Sequence, residues 1–140
     1  MAGYKHIEHC CGVYIAQHYT NPVEIGVGSN PDAAQCIHEA GIPVRARDVR
    51  ACNLPTWLPF ARDDIFEPDL SLYSGADVLY AIRPAEEMIP PLIDLAKKLD
   101  CDLVVYHLGF ESYGDGGTIV DCGVKLHYYY RHRSEPVKER

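Results

Sequence analysis

The segment Val23-Glu24-Ile25-Gly26-Val27-Gly28 places a carboxylate two residues ahead of the first of two glycines spaced by one. A Gly-x-Gly turn lets the backbone reverse sharply and removes side chains where a ligand approaches. A helix start follows, with Asn30 as N-cap, Pro31 at the first helical position and Asp32 in the first turn. The free N–H groups and positive dipole end of such a helix suit an anion or a carboxylate. A dinucleotide fingerprint requires a further glycine three residues after Gly28. Position 31 is instead Pro31, which has no N–H and crowds a pyrophosphate, so nicotinamide and flavin dinucleotides are disfavoured. No Gly-Lys-Ser/Thr of a Walker loop occurs. Asp48 lies 20 residues beyond Gly28, at a strand end, where a carboxylate accepts both hydroxyls of a ribose. Asp63-Asp64, at a third strand's end, suits an exocyclic amine of a purine. Adjacent strand residues point to opposite faces, so one of this pair enters a crevice and the other does not.

Other residues compete for chemical roles. Glu24 reads as a carboxylate facing the ligand crevice, against the plainer reading of a strand-end acid. The plain alternative for Asp48 is an ion pair with Arg45 or Arg47. Arg83 follows the fourth strand, where it can clamp an acidic substrate, a phosphate or a carboxylate, against a structural pair with Glu86 or Glu87. His107 and Glu111 follow the fifth strand and are candidates for a general base, a buried hydrogen-bonded histidine being the commoner fate. His6, His9 and Cys10 share a helical face, but three ligands without a fourth make no metal centre, and no metal is expected. The six cysteines are scattered without a C-x-x-C pair and read as small buried hydrophobes in a reducing compartment.

The elements that must position these groups follow from periodicity. Ile7, Cys10, Cys11, Tyr14, Ile15 and His18 predict a helix over 4–19, broken at Asn21-Pro22. Strand 23–26, a helix from about residue 31 to Gly41 and strand 44–48 come next. A loop with Pro55, Trp57 and Pro59 precedes a short third strand within 60–66, and Leu70, Leu72 and Tyr73 suggest a short helical stretch. Strand 76–82 is mostly apolar, as a strand covered on both faces should be. Helix 90–99 opens at Pro90-Pro91, and strand 102–107 follows. Segments 118–121 and 125–130 form an antiparallel pair turned at Cys122-Gly123. Tyr128-Tyr129-Tyr130 alternate in the last strand, so Tyr128 and Tyr130 should share a face as sheet packing. Alternating strands and helices imply a mostly parallel sheet between helix layers, an α/β three-layer sandwich closed by the C-terminal hairpin. Ligands of such sheets bind at the carboxyl ends of the strands, where strand order reverses.

Val23 to Gly28 resembles the first motif of the Rossmann-like S-adenosylmethionine-dependent methyltransferases. Asp48 matches their ribose-binding acid, Asp63-Asp64-Ile65-Phe66 resembles the segment bracketing adenine, and the closing hairpin is also like theirs. With Tyr80-Ala81-Ile82-Arg83-Pro84, the chain over roughly 4–133 is identified as a member of a small archaeal group, uncharacterised protein family 0146. The resemblance implies an S-adenosylmethionine cofactor, or a related small nucleoside, bound by Glu24, Gly26, Gly28, Asn30, Asp48, Asp63 and Asp64. It implies no particular reaction. Asn30 stands where the third glycine usually falls. No Asn/Asp-Pro-Pro-Tyr follows the fourth strand, which argues against an amino-methylating enzyme of that type. Methyltransferases usually add an insertion or cap that recognises the acceptor; here the N-terminal helix, the 49–59 loop and the 109–117 loop are the segments expected to be able to do so. A methyltransferase of unspecified acceptor, a non-enzymatic regulatory or interaction module on the same fold, and a binder of another nucleotide are the uses this leaves open.

Composition limits the partners. The chain has 140 residues, 13 Lys+Arg against 20 Asp+Glu, and a formal net charge of −7. That balance argues against a general nucleic-acid coat or an anionic membrane surface. No apolar run approaches the ~18 residues of a membrane span. The first residues lack the apolar core of a signal peptide, so a cytoplasmic location is expected. Expected partners are a nucleoside-type ligand and a second copy of the chain. Residues 1–133 are read as one domain, and 134–140 as a polar tail.

Overall fold

A computed structural model describes residues 3–109 and 111–133. The polar tail expected at 134–140 lies outside the described residues. The chain runs α1 (Gly3–His18), β1 (Pro22–Ile25), α2 (Asp32–Glu39), β2 (Arg45–Asp48), β3 (Phe60–Arg62), β4 (Val78–Ile82), α3 (Ile89–Leu99), β5 (Asp102–Tyr106), β6 (Thr118–Asp121) and β7 (Lys125–Tyr130). Short 3-10 turns lie at Leu70–Tyr73 and Glu86–Met88. The strands form one sheet in the order β3-β2-β1-β4-β5-β7-β6. The first five strands in the chain pair in parallel, and β7 pairs antiparallel with both β5 and β6. The chain winds from β1 outward to β3, then restarts on the other side of β1 with β4, which makes β1/β4 the switch point.

The sheet is covered on both faces, which explains why β1 and β4 carry almost no exposed residue. Cys11 and Ile15 of α1 and Ala33, Ala34 and Ile37 of α2 pack with Ala46, Tyr80 and Val104 on one side. Ile89, Leu92, Leu95 and Ala96 of α3 pack with Val23, Ile25, Leu79 and Leu103 on the other, together with Tyr73. Gly12 sets how closely α1 and α2 meet, since a Cβ there would stand 2.7 Å from Cys36 Cβ and 2.8 Å from the Ala33 carbonyl oxygen. All six cysteines are free; Cys11 and Cys101 are buried and the other four are half-buried.

Two local expectations shift. The N-cap of α2 falls on Pro31, and the Asn30 side chain caps from one residue earlier, its Oδ1 accepting the Asp32 N–H at 3.1 Å. Tyr128 packs in the core under α1, whereas Tyr129 and Tyr130 both pack on the α3 side. The cause is a bulge: Leu103 faces Tyr130 while Val104 faces Tyr128, so β7 carries an extra residue that breaks the alternation.

Candidate functional site

The carboxyl ends of β1 to β4 enclose a cavity of about 380 Å³, its lining including Gly26, Asp48, Asp64, Phe66, Arg83 and Met88. This volume lies within the ~300–1,000 Å³ of small-molecule sites. Gly26 and Gly28 turn the chain away from β1 with φ of +74° and +59°, in the left-handed region that glycine adopts freely. The turn is held against β2 by the Gly26 N–H, which donates to the Arg47 carbonyl at 2.8 Å. It is also held by the Gly28 N–H, which donates to Asp48 Oδ2 at 2.9 Å. Asp48 Oδ1 accepts the Arg50 N–H at 3.1 Å. These two bonds fix the carboxylate at the cavity wall and use two of its roughly four acceptor positions, leaving the others for a ligand's hydroxyls. Arg45 and Arg47 do not pair with Asp48. Arg45 donates to Asn21 and the Ser74 carbonyl, and Arg47 to the Leu72 and Ala46 carbonyls.

Asp63 and Asp64 have separate roles. Asp63 accepts the Tyr73 hydroxyl at 2.5 Å and the Asp69 N–H at 3.1 Å, so both its oxygens anchor the 3-10 turn beneath it. Asp64 is exposed at the cavity, and its Oδ1 accepts the Phe66 N–H at 3.0 Å, a bond that shapes the rim. Val49 and Phe66, 55% and 61% exposed, bring large apolar side chains to that rim, where a flat ring can lie against them.

Glu24 does not take the expected orientation. It is buried on the α1/α2 side of β1, and its Oε1 accepts the Tyr80 hydroxyl at 2.9 Å. Burial pushes its carboxyl up to about 8, opposed by the Tyr80 bond and reinforced by the nearby charges of Glu8 and Asp32. Asn30 also turns inward, its Nδ2 donating to Glu8 Oε2 at 3.0 Å. Arg83 lines the cavity but does not pair with Glu86 or Glu87. Its Nη1 reaches Glu8 of α1 at 2.8 Å, and its guanidinium lies 5.7 Å from the centre of the Tyr106 ring. The Glu8 bond first, and that carboxylate's charge in addition, raise the guanidinium's pKa.

His107 and Glu111 stand apart from these groups, at a second cavity of about 450 Å³ beyond the end of β5. His107 is buried and shares a 2.6 Å hydrogen bond with Tyr129. The Tyr129 hydroxyl also accepts the Tyr113 N–H at 2.9 Å. Burial, and next the neighbouring His127, lower the His107 pKa. Among the described residues no group of three or more His, Cys, Asp or Glu could hold a metal ion. Among the described residues no helix is long and apolar enough to cross a membrane.

The residue-by-residue reading missed Glu8. The available signal was its phase: Glu8 falls three and seven residues before Cys11 and Ile15, on the inward face of α1. An acid in that position must have a buried partner.

Among protein-family models, Uncharacterised protein family (UPF0146) matches residues 10–131. A UPF0146 protein of Halobacterium salinarum is 34% identical over 93 residues, 66% of this chain and 72% of the relative. One from Pyrococcus horikoshii is 37% identical over 103 residues, 71% and 79% of the two chains. Among solved structures, an RNA methyltransferase from Salinibacter ruber in complex with S-adenosyl-L-homocysteine aligns with a TM-score of 0.59 at 13% identity, covering 91% of this chain and 92% of that one. Human N-acetylserotonin methyltransferase in complex with SAM aligns with a TM-score of 0.53 at 15% identity, covering 71% of this chain and 32% of the human one. At such identities the likeness is one of fold, and this chain spans only about a third of the human enzyme.

Proposed function

The chain belongs to the uncharacterised protein family UPF0146, and from its methyltransferase-like fold and its acid-lined cavity we propose that it binds S-adenosylmethionine or S-adenosylhomocysteine. The observation that carries this reading is Asp48, held at the tip of β2 by the Gly28 N–H beside a cavity at the β1/β4 switch point. In this reading Asp48 receives the ribose hydroxyls, Asp64 the adenine amine, and Val49 and Phe66 lie against the purine. The bare backbone at Gly26 leaves room for the amino-acid end. Asp63, at the cavity wall with both oxygens taken by Tyr73 and Asp69, and Glu24, buried away from the cavity, support the site without receiving the ligand. S-adenosylmethionine bound there supplies an electrophilic methyl group. The protein's part in any transfer is alignment of an acceptor, together with a group that takes its proton where one must leave. His107, whose pKa burial lowers, is the candidate for that second role, at the separate cavity past Tyr106.

Isothermal calorimetry with S-adenosylmethionine, S-adenosylhomocysteine, NAD, FAD and ATP tests the reading. The two adenosyl-sulfur compounds should bind with the dinucleotides excluded, and Asp48→Asn should weaken them by at least about tenfold, or ~1.4 kcal/mol. Absence of heat and of thermal shift with saturating amounts of both removes it.

A further inference from the structure

The cavity of about 450 Å³ beyond the end of β5 is lined by two buried imidazoles, His107 at 6% and His127 at 9% exposure. Their rings stand nearly perpendicular, with centres 4.8 Å apart. Strand pairing brings them together. His127 of β7 lies opposite Val105 of β5 and Ile119 of β6, and His107 directly follows Tyr106, the last residue of β5. His107 Nε2 is engaged by the Tyr129 hydroxyl. His127 Nδ1 lies 2.8 Å from the Gly116 carbonyl, which can only accept. In the neutral imidazole the hydrogen therefore sits on Nδ1, and Nε2 carries the lone pair. That Nε2 has no partner among the described residues. It is not sealed in either, since Glu8 Oε1 is the fully enclosed side-chain polar atom left without a partner there. A ring buried to this degree, with one bare acceptor open to a cavity, marks a place for a donor.

The charges around the cavity select the donor. Glu111 and Asp115 stand exposed at its rim, and Asp115 gives one oxygen to the Gly117 N–H at 2.9 Å. Burial and then His127 lower the His107 pKa, and the charge of Glu111 opposes them. Lys125, the one lysine on the lining, is 69% exposed and lies 4.0 Å from Asp121. Ile119 and Val124 supply an apolar wall. An anion there meets two carboxylates, whereas an ammonium donates to Nε2 and is attracted by both acids. A metal ion needs several close ligands, and among the described residues no group of three or more His, Cys, Asp or Glu could hold one.

We propose that this cavity is a second ligand site, for a small primary amine that donates an ammonium N–H to Nε2 of His127 while its apolar body lies against Ile119 and Val124. The site stands whether or not the first cavity takes a nucleoside.

The test titrates the full chain with benzylamine, benzyl alcohol and benzoate, which share one skeleton and are cationic, neutral and anionic at neutral pH. Binding is read from the proton–carbon ring signals of the histidines. Benzylamine should bind at least about tenfold more tightly than benzyl alcohol, with benzoate excluded, and should move the His127 signals. His127→Asn keeps an amide N–H where Nδ1 stands, facing the Gly116 carbonyl, and has nothing where Nε2 stands, so it should remove the preference. The His107 signals report whether that variant is folded. Glu111→Gln, an exposed change, should weaken benzylamine by about threefold and leave benzyl alcohol unchanged. Equal wild-type affinity for amine and alcohol overturns the proposal, as does tighter binding of benzoate. So does a folded His127→Asn that keeps the preference. If His127→Asn does not fold, Glu111→Gln decides, and an undiminished preference for the amine overturns the site. Amine binding that high salt abolishes and that leaves the His127 signals in place belongs to the acidic surface at large and overturns it too.

Discussion

Asp48 and Glu24 differ in how far their roles can be read from the chain. A carboxylate at the end of β2, a fixed distance beyond a glycine turn, has one place to go, because the parallel pairing of β1 and β2 brings those two points together. Glu24 sits within β1, and one strand alone does not reveal which of its faces meets the ligand and which meets α1. Its burial has a measurable consequence. Burial pushes the folded carboxyl up to about 8, well above the usual carboxylate range, so the folded state holds its proton more firmly than the unfolded state does. Stability is therefore full below the unfolded value and declines as pH rises through the folded one. Chemical denaturation of wild type should show a loss on the order of a few kcal/mol between about pH 4.5 and 8, which Glu24→Gln largely abolishes. The neighbouring aspartates divide in the same measurable way. Asp63→Ala leaves the buried Tyr73 hydroxyl without its acceptor and should cost about 1–3 kcal/mol in urea unfolding. Asp64→Ala should leave stability within about 0.5 kcal/mol and weaken adenosyl ligands.

Helices and strands were legible wherever periodicity or chain-breaking residues were strong. Pro90-Pro91 opens α3, and the apolar run of β4 marks a strand buried on both faces. The bulge in β7 was not legible, because it arises from the pairing of two strands and leaves no mark on Tyr128-Tyr129-Tyr130 alone. The 3-10 turn at Glu86–Met88 was missed for a similar reason, being too short to carry a period. Gly12 and Gly28 are required for different reasons. Gly12→Ala drives a methyl group into Cys36 and the Ala33 carbonyl and should separate α1 from α2, with a loss of about 1–3 kcal/mol by chemical denaturation. Gly28→Ala meets no atom within 4 Å, so its cost is only that of a left-handed alanine, about 1–2 kcal/mol.

The order of elements along the chain carried the whole architecture, since alternating strands and helices admit few right-handed arrangements. It could not show that α1 returns to the switch point and places Glu8 there, a contact spanning 75 residues to Arg83. If the cavity binds as proposed, occupancy at about a hundredfold over the dissociation constant should raise the melting temperature by roughly 5–10 °C, measured by differential scanning fluorimetry.

The unequal burial of the free cysteines makes the chain a reporter of its own opening. Cys11 and Cys101 lie in opposite core layers, and burial first of all raises the thiols of both, that of Cys101 to about 12, so neither can be alkylated until its layer parts. Cys10, Cys36, Cys52 and Cys122 are partly accessible and react without such an event. Pulse alkylation read by intact mass should therefore show up to four adducts early, with a fifth and a sixth that track the separation of the α1/α2 layer and of the α3 layer independently.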